Sequence, residues 1–398
     1  MHGFILAAAV SLMGAFAGCG GNEPTSPPVV TRQSSVVAGD FNSDGRLDLA
    51  ISASISTGST FLPGKVTVYF QDSAPALPGL FSKRTEFDAG IDPAHIAGAD
   101  VNGDGLPDLL TANFGSDSVS VLLNDPVRPG SFFPAVDYPG IPASRSIAVG
   151  DLNRDGLPDL AVAASDGIYI LFQNPNARGT FTAPFRLAIA GGAFSAAIGD
   201  LDGDGCADIA AAGRDMVGVF FQNRLIRGAL SLPASFAAGI NPNAVAIADI
   251  DRDGLLDIAV ANIGAAPDGS GATISVLLQD PRHVGNFLPA SNFNNPKGAR
   301  NLAVSDLNDD GFSDITVAST EPRSQNPGVI SVFLQNPAAP GNFLLPASYQ
   351  GGFTPLSVAI GDLNGDGKQD IVIQERPGIL FQDPRTPGIF FNEVVVGP

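Results

Sequence analysis

The sequence is poor in several residue types that mark well-known classes of protein. It has no tryptophan, two cysteines and three histidines, and 21 lysines and arginines stand against 40 aspartates and glutamates. Two cysteines exclude a disulfide-dense scaffold. A nucleic-acid partner would require a basic footprint, which this charge balance does not provide. The sequence also lacks nucleophile-elbow and zinc-binding signatures.

The composition nevertheless predicts a folded protein. Hydrophobic residues make up 44% of the 398 residues, which is too many for a disordered acidic chain. Glycine (47) and proline (32) are frequent, and helical periodicity is absent after the first residues. These features favour short strands joined by many turns.

The N-terminus is typical of an exported protein. Residues 4–17 form one uncharged apolar run, with the length of a signal-peptide core. It ends in Phe16-Ala17-Gly18-Cys19, which resembles the lipobox of bacterial lipoproteins. This predicts a signal peptide over 1–18, cleavage before Cys19, a lipid on Cys19 and a tether over 19–33. The alternatives are an ordinary secretory signal that releases the protein, or a misplaced start codon. No later run is long and apolar enough to span a membrane.

One acidic nonapeptide recurs at intervals of 49 to 60 residues, which indicates a repeat architecture. Its seven copies are DFNSDGRLD (40–48), DVNGDGLPD (100–108), DLNRDGLPD (151–159), DLDGDGCAD (200–208), DIDRDGLLD (249–257), DLNDDGFSD (306–314) and DLNGDGKQD (362–370). Between 17 and 28 residues after each start comes a run such as ILFQN (170–174), and a Gly-x-Phe follows in six copies. We expect the glutamine of this run to bond backbone groups and the phenylalanine to pack between repeats.

Each repeat parses into four strands, with the acidic loop between strands A and B. Seven four-stranded units, none able to bury its faces alone, predict an all-β, seven-bladed β-propeller over 34–398. The predicted blades are 34–90, 91–140, 141–190, 191–239, 240–297, 298–352 and 353–398. Whether residues 29–34 add a strand that closes the ring is open at this stage.

The acidic loops predict cation sites. Side chains at positions 1, 3, 5 and 9 and the carbonyl at position 7 supply the oxygens that Ca²⁺ prefers. These four side-chain positions hold 23 of the 40 acidic residues. About seven structural Ca²⁺ are therefore expected. The predicted ligands are Asp40, Asn42, Asp44, Arg46, Asp48, Asp100, Asn102, Asp104, Leu106, Asp108, Asp151, Asn153, Asp155, Leu157, Asp159, Asp200, Asp202, Asp204, Cys206, Asp208, Asp249, Asp251, Asp253, Leu255, Asp257, Asp306, Asn308, Asp310, Phe312, Asp314, Asp362, Asn364, Asp366, Lys368 and Asp370, with the position-7 residues acting through their carbonyls.

Two other calcium motifs do not fit. An EF-hand needs a glutamate at position 12, where these loops have strand residues such as Val162 and Val260. RTX repeats follow one another every nine residues, unlike these widely spaced loops.

The repeated region resembles the FG-GAP/VCBS repeat propellers, the fold of the integrin α-chain head. The resemblance rests on the D-x-(N/D)-x-D-G-x-x-D loops, on Asn113-Phe114-Gly115 and on Ile263-Gly264-Ala265-Ala266-Pro267. It implies a calcium loop between strands A and B of each blade. Integrin propellers usually keep three or four such loops, whereas all seven are intact here, which is closer to bacterial members.

The functional expectations follow from the face opposite the acidic loops. The B–C loops are long at Ser52–Lys65, Asn262–Thr273 and Ser319–Gly328, and in a closed ring they cluster on one sector. We interpret that sector as a ligand-binding rim; the alternative is that these loops are insertions that bind no partner.

His95 and Arg145 either face the central channel or are isolated polar residues. We expect a monomeric, non-catalytic surface module that binds an extracellular protein or glycan without nucleic acid. The alternative is an extracellular polysaccharide lyase or hydrolase.

Overall fold

The computed structural model describes residues 29–73, 79–265, 269–320, 327–375, 378–391 and 394–395. These residues form seven antiparallel four-stranded sheets, which confirms the predicted seven-bladed propeller. The described part of the chain has no helix of the length and apolarity that crossing a membrane requires. The predicted signal peptide, Cys19 and residues 20–28 lie outside the described residues.

Within each blade the strands follow one another in chain order, and strand A of each blade contacts strand A of the next. The strands of blades 1 to 4 are β1 (Val29–Gly39), β2 (Asp48–Thr57), β3 (Thr60–Phe70), β4 (Lys83–Ile91); β5 (Pro93–Ala99), β6 (Asp108–Asn113), β7 (Ser118–Leu122), β8 (Val136–Pro139); β9 (Ser146–Gly150), β10 (Asp159–Ala164), β11 (Gly167–Leu171), β12 (Phe185–Ala188); and β13 (Ala193–Gly199), β14 (Asp208–Gly213), β15 (Val217–Phe220), β16 (Ala234–Phe236).

The strands of blades 5 to 7 are β17 (Pro242–Ala248), β18 (Asp257–Asn262), β19 (Thr273–Leu277), β20 (Ser291–Asn294); β21 (Gly298–Ser305), β22 (Asp314–Thr320), β23 (Val329–Phe333), β24 (Ala347–Gln350); and β25 (Val358–Gly361), β26 (Asp370–Ile373), β27 (Gly378–Leu380), β28 (Val394–Val395). Strand A therefore begins at the face opposite the acidic loops and runs toward them. This places residues in or just before strand A of each blade, such as Ser35 and Arg145, around one end of the propeller axis.

The core is divided among the seams between blades. Seven buried apolar clusters are present in the described residues, and each combines side chains from two neighbouring blades. At the seam of blades 2 and 3, for example, Leu110 and Val121 pack with Leu160 and Val162. Because each sheet buries its faces against its neighbours, no blade has a core of its own.

The ring closes without strand exchange, because each blade is one continuous stretch of chain. Val36 and Leu49 of blade 1 share an apolar cluster with Leu363 and Val372 of blade 7. At the axis the hydroxyls of Ser35 and Ser357 lie 3.2 Å apart. The closing seam thus uses the same kinds of contact as the others.

Two predictions about blade 1 were wrong. Strand β1 begins at Val29, so the predicted tether is too long by five residues and the propeller starts before residue 34. The predicted long loop Ser52–Lys65 is a hairpin, because β2 runs to Thr57 and β3 starts at Thr60. Both differences have one cause: the extended hairpin gives residues 29–33 a pairing partner, with Val29 opposite Thr57.

The other two long connections differ in how far they are described. In blade 5 the residues after Asn262 fold back on themselves through a bridge between Ala265 and Ser270. Residues 266–268 of this loop and residues 321–326 of the blade 6 loop lie outside the described residues. The predicted clustering therefore no longer includes a blade 1 loop, and for the loops of blades 5 and 6 it stays a prediction.

The phenylalanine of the Gly-x-Phe element packs between blades, as predicted. Phe132 lies edge-on to Phe87 of the preceding blade, with ring centroids 5.1 Å apart. The equivalent pairs at other seams are Tyr138–Phe181, Phe236–Phe287, Phe293–Phe343 and Tyr349–Phe390. Such edge-to-face pairs add about 0.5–1.5 kcal/mol to the burial of each ring.

In five blades, the side-chain amide of the glutamine or asparagine at the end of strand C links neighbouring blades by a hydrogen bond. It donates to the carbonyl of the second acidic-loop residue of the preceding blade. The donor–acceptor pairs are Gln71–Leu363, Asn124–Phe41, Gln222–Leu152, Gln335–Ile250 and Gln382–Leu307. The described bonds of the Gln173 and Gln279 amides reach their own blades alone, at the Pro158 and Leu256 carbonyls.

Gln222 and Gln173 form a matched pair for testing this contact. Both donate to a carbonyl of their own blade, and both leave Oε1 without a partner. Gln222 also reaches Leu152 O at 2.7 Å, so Gln222→Ala leaves one more buried carbonyl unbonded. We expect Gln222→Ala to lower the free energy of unfolding by about 1 kcal/mol more than Gln173→Ala, measured by urea denaturation in calcium. Equal losses would show that the contact between blades adds no stability.

Candidate metal centres and axial pocket

All seven acidic loops share one pattern of backbone hydrogen bonds. The carboxylate at position 1 accepts the N–H of the glycine at position 6, as Asp100 does from Gly105 at 2.8 Å. The carboxylate at position 5 accepts the N–H of position 7, as Asp104 does from Leu106 at 2.9 Å. The same two bonds occur in the other six loops. Each loop therefore turns tightly around its own carboxylates.

The ninth-position aspartate joins this loop to the body of the blade. One oxygen of Asp159 accepts the N–H of Leu152 at 2.9 Å, and the other accepts the N–H of Gln173 at 2.8 Å. Every blade repeats this pair of bonds. The ninth-position aspartates are at most 1% exposed. Each one connects the acidic loop, the start of strand B and the end of strand C.

The carboxylates converge most closely in blades 4 and 5, where position 3 is also an aspartate. Oxygens of Asp200, Asp202 and Asp208 lie within 4.8 Å of one another, and those of Asp249, Asp251 and Asp257 do the same. In the other five loops position 3 is asparagine, whose oxygen accepts the position-5 N–H in four of them, as in Asn102. The acidic clusters of these two blades can hold a metal ion.

The donor set fits a hard cation. Oxygens of carboxylates, amides and backbone are the ligands that such ions prefer. Asp249 has a buried oxygen with no hydrogen-bond partner, so this atom is available to a metal. In blades 4 and 5 the structure brings together the carboxylates at positions 1, 3 and 9, while the position-5 carboxylate accepts the position-7 N–H of its own loop. It also reveals the bridging role of position 9, which spacing alone did not show.

Burial makes the ninth-position carboxylates difficult to ionise without a cation. Desolvation raises the pKa of Asp48, Asp208, Asp257, Asp314 and Asp370 to about 7, although backbone N–H donors partly oppose it. The same causes raise the pKa of Asp108 and Asp159 to about 6. Nearby carboxylates of the same loop contribute in the same direction as desolvation. A bound cation would counter both effects.

Position 4 of the loops carries a constraint that sequence reasoning missed. Its backbone is left-handed in every copy, with φ between 58° and 76°. Three copies have glycine there, but Ser43, Arg154, Arg252 and Asp309 adopt the same conformation. The sequence shows a preference for glycine or small polar residues at this position. Arginine also occurs there, where its long side chain contacts a neighbouring loop. Arg252, for example, lies over the Phe312 ring at 5.0 Å.

A polar pocket of about 120 Å³ lies on the propeller axis, at the end opposite the acidic loops. Every blade contributes to its wall through two residues in or just before strand A, five and six positions before the first loop aspartate. One such residue from each blade, in chain order, is Ser35, His95, Arg145, Ser195, Asn243, Arg300 and Ser357. Among these, Ile147 N donates to His95 and Val245 N donates to Ser195 across seams, each at 3.4 Å.

His95 and Arg145 therefore both face the channel, which was one of the two possibilities the sequence left open. Sequence reasoning missed Arg300, although this residue stands six residues before Asp306, the same repeat position that Arg145 has before Asp151. The Arg145 guanidinium lies between two rings, 5.2 Å from the Phe114 centroid and 4.8 Å from that of Phe194. Burial lowers the pKa of His95 to about 4, so this imidazole is neutral at physiological pH.

The raised carboxylate pKa values predict a pH dependence that calcium should remove. In the metal-free protein the folded pKa values of about 6–7 exceed the ordinary aspartate value of about 4, so the folded state binds more protons. Its stability should be greatest near pH 5 and fall as pH rises to 8. His95 acts in the opposite direction, but as one group against seven.

Melting temperatures in EDTA and in excess Ca²⁺, measured at pH 5, 6, 7 and 8, check this expectation. A fall with pH in EDTA that disappears in Ca²⁺ agrees with it. Curves that coincide in the two buffers at every pH would contradict it.

Comparisons with known proteins agree with this architecture. The FG-GAP-like repeat profile matches residues 100–162, 151–211, 200–260 and 306–373, and the FG-GAP repeat profile matches residues 33–69. A search among curated proteins finds no match for the sequence.

Two solved structures illustrate the similarity of fold. A protein from Lactobacillus plantarum superposes with a TM-score of 0.52 at 14% identity, covering 92% of this chain and 97% of that one. The exotype rhamnogalacturonan lyase YesX superposes with a TM-score of 0.50 at 13% identity, covering 89% and 72%. Identities this low establish the fold and carry no information about ligand or activity. The repeat profiles span more than half of the sequence and coincide with its acidic loops, and the chain belongs to the FG-GAP repeat family.

Proposed function

We propose that this protein is an exported, calcium-stabilised propeller that binds an extracellular protein or glycan without chemically changing it. The observation that carries the proposal is the axial pocket, whose wall receives polar side chains from all seven blades. A wall of this kind is positioned by the whole ring, so its geometry is preorganised. We further propose that the protein acts as a monomer.

Calcium is the cation that best suits the acidic loops. Oxygen donors in an irregular loop geometry favour Ca²⁺ over Mg²⁺, which needs near-octahedral coordination. The shared hydrogen-bond pattern of the seven loops supports one ion per blade. Positions 1, 3, 5 and 9 would hold each ion, and its charge would offset the buried carboxylates. Extracellular calcium modules work at roughly 10⁻⁴–10⁻³ M, so the ions would be structural rather than regulatory.

The sequence supports export to the cell envelope. Residues 4–17 have the composition of a signal-peptide core, and Cys19 stands where a lipidated cysteine is expected. We propose that the protein is anchored there through Cys19, with release from the cell as the alternative. The short stretch before β1 would then hold the propeller close to the membrane.

A polysaccharide lyase or hydrolase is the second candidate, and the arginines of the axial pocket favour it. Arg145 and Arg300 would suit a catalyst that acts on an anionic polymer. Such a catalyst also needs a general base. His95, the one residue of the described wall with a suitable group, already accepts Ile147 N–H through Nδ1, and burial lowers its pKa. This arrangement supports binding over catalysis.

An array of glycans and extracellular proteins, probed with the calcium-loaded full chain, tests the proposal. We expect retention of at least one class of ligand, loss of that retention in EDTA, and recovery of the bound ligand with its chain length unchanged. The control is the same array probed after calcium is restored to the EDTA-treated protein.

Two results would contradict the proposal. Unsaturated or shortened oligosaccharides recovered from the array would identify an enzyme. Absence of retention for every glycan and protein, in protein shown to be folded and calcium-loaded, would exclude a binding module for these classes.

A further inference from the structure

We propose that the axial pocket binds the carboxylate of an acidic sugar, that is, a uronate residue at the end of a glycan. This inference rests on the proposed binding function and specifies its ligand class. It is drawn from three properties of the pocket: its positive charge in a chain of negative net charge, its hydrogen-bonding groups and its size.

Arg145 provides a cation that is fixed in place and not neutralised. Its guanidinium is held between Phe114 of blade 2 and Phe194 of blade 4, at 5.2 and 4.8 Å from the ring centroids. Its Nε is buried and has no hydrogen-bond partner among the described residues. Burial also lowers its pKa, as expected for a cation that lacks a counter-charge. Stacking between two rings orients the planar group and leaves its N–H edge available to an acceptor.

Arg300 provides a second cation on the same wall. Its Nε donates to Thr320 Oγ1 at 3.0 Å, which leaves the terminal N–H groups for a ligand. Burial and the nearby positive charge of Arg32 lower its pKa, so like charges gather here. No aspartate or glutamate belongs to the described wall, and no described ion pair involves Arg145 or Arg300. In a chain of net charge −19, this local excess of positive charge points to an anionic ligand.

The remaining groups suit a sugar better than a peptide. Ser34, Ser146 and Asn243 add hydroxyl and amide groups to the wall, which match the hydroxyls of a sugar ring. Serine, asparagine and arginine predominate over apolar residues there, so the wall offers more partners to ring hydroxyls than to the methylene groups of a peptide side chain. A volume of about 120 Å³ admits one small polar group and part of a ring, which fits a chain end.

The experiment is a calorimetric titration of the calcium-loaded full chain with galacturonate and glucuronate. The matched neutral sugars, galactose and glucose, differ at the carboxylate position. We expect the uronates to bind at least tenfold more tightly than the neutral sugars, and higher salt to weaken their binding. Each of Arg145→Gln and Arg300→Gln should reduce uronate affinity by about 10- to 100-fold, the loss expected for a charge-assisted hydrogen bond.

Arg214→Gln is the control variant. Arg214 is exposed in the B–C turn of blade 4, so the substitution removes the same charge outside the pocket wall. We expect it to leave uronate affinity unchanged. An equal loss in Arg214→Gln and Arg300→Gln would overturn the proposal in favour of unspecific charge attraction.

A second measurement uses the unaltered protein, in case the pocket variants fail to fold. Phenylglyoxal modifies accessible arginines, and peptide mass spectrometry identifies the sites. Galacturonate should protect Arg145 and Arg300 from the reagent and leave Arg214 unprotected. Equal modification with and without galacturonate at a saturating concentration would overturn the proposal.

The outcomes separate this inference from the proposed function. If a neutral glycan or a protein is retained in the array while uronates bind no better than neutral sugars, the uronate inference fails and the binding function stands. Binding of a carboxylate-bearing peptide in place of uronates would also overturn the inference. Uronate binding that is followed by chain cleavage would support the ligand class and overturn the non-catalytic function.

Discussion

In every blade, one buried aspartate carboxylate joins the acidic loop to strand C. Its two oxygens accept backbone N–H groups from the second loop residue and from the end of strand C, as Asp314 does from Leu307 and Gln335. A buried carboxylate is costly unless its charge is offset. The raised pKa values of these groups express that cost in the metal-free chain. On the calcium assignment proposed above, a cation beside each of these carboxylates would offset this cost, and a proton would offset it when no cation is bound.

The same local unit organises the seams between blades. The side-chain amide at the end of strand C donates to the acidic loop of the preceding blade, as Gln382 does to the Leu307 carbonyl. The phenylalanine of the Gly-x-Phe element packs against an aromatic ring of the preceding blade, as Phe390 does against Tyr349. Apolar clusters fill the rest of each seam. Because these contacts repeat around the ring, they position residues in or just before each strand A around the axis. The residues that distinguish one blade from another, such as Arg145 and Arg300, lie at this end.

Much of the fold could be predicted from the sequence because the repeat specifies it. Seven acidic loops at a regular interval, each flanked by strand patterns, define seven blades, and the structure contains them. The start of β1 was wrong, since pairing between Val29 and Thr57 depends on a hairpin that resembles a loop in sequence. The loop ligand positions were visible as a motif, whereas the axial pocket was not. Arg300 could have been found from the repeat, because it stands six residues before Asp306 just as Arg145 does before Asp151, whereas the closure of the seven positions around one pocket follows from the tertiary arrangement of the blades.

The acidic loops also explain the net negative charge of the chain. Of the 40 acidic residues, 23 occupy positions 1, 3, 5 and 9 of the loops, so the rest of the sequence has 17 acidic residues against 21 basic ones. Native mass spectrometry of the protein purified in calcium, compared with the same protein after EDTA, tests the dependence of the ring on cations most directly. The account predicts close to seven bound Ca²⁺ and a lower melting temperature at pH 8 once they are removed. Absence of bound Ca²⁺, together with an unchanged melting temperature in EDTA, would contradict it.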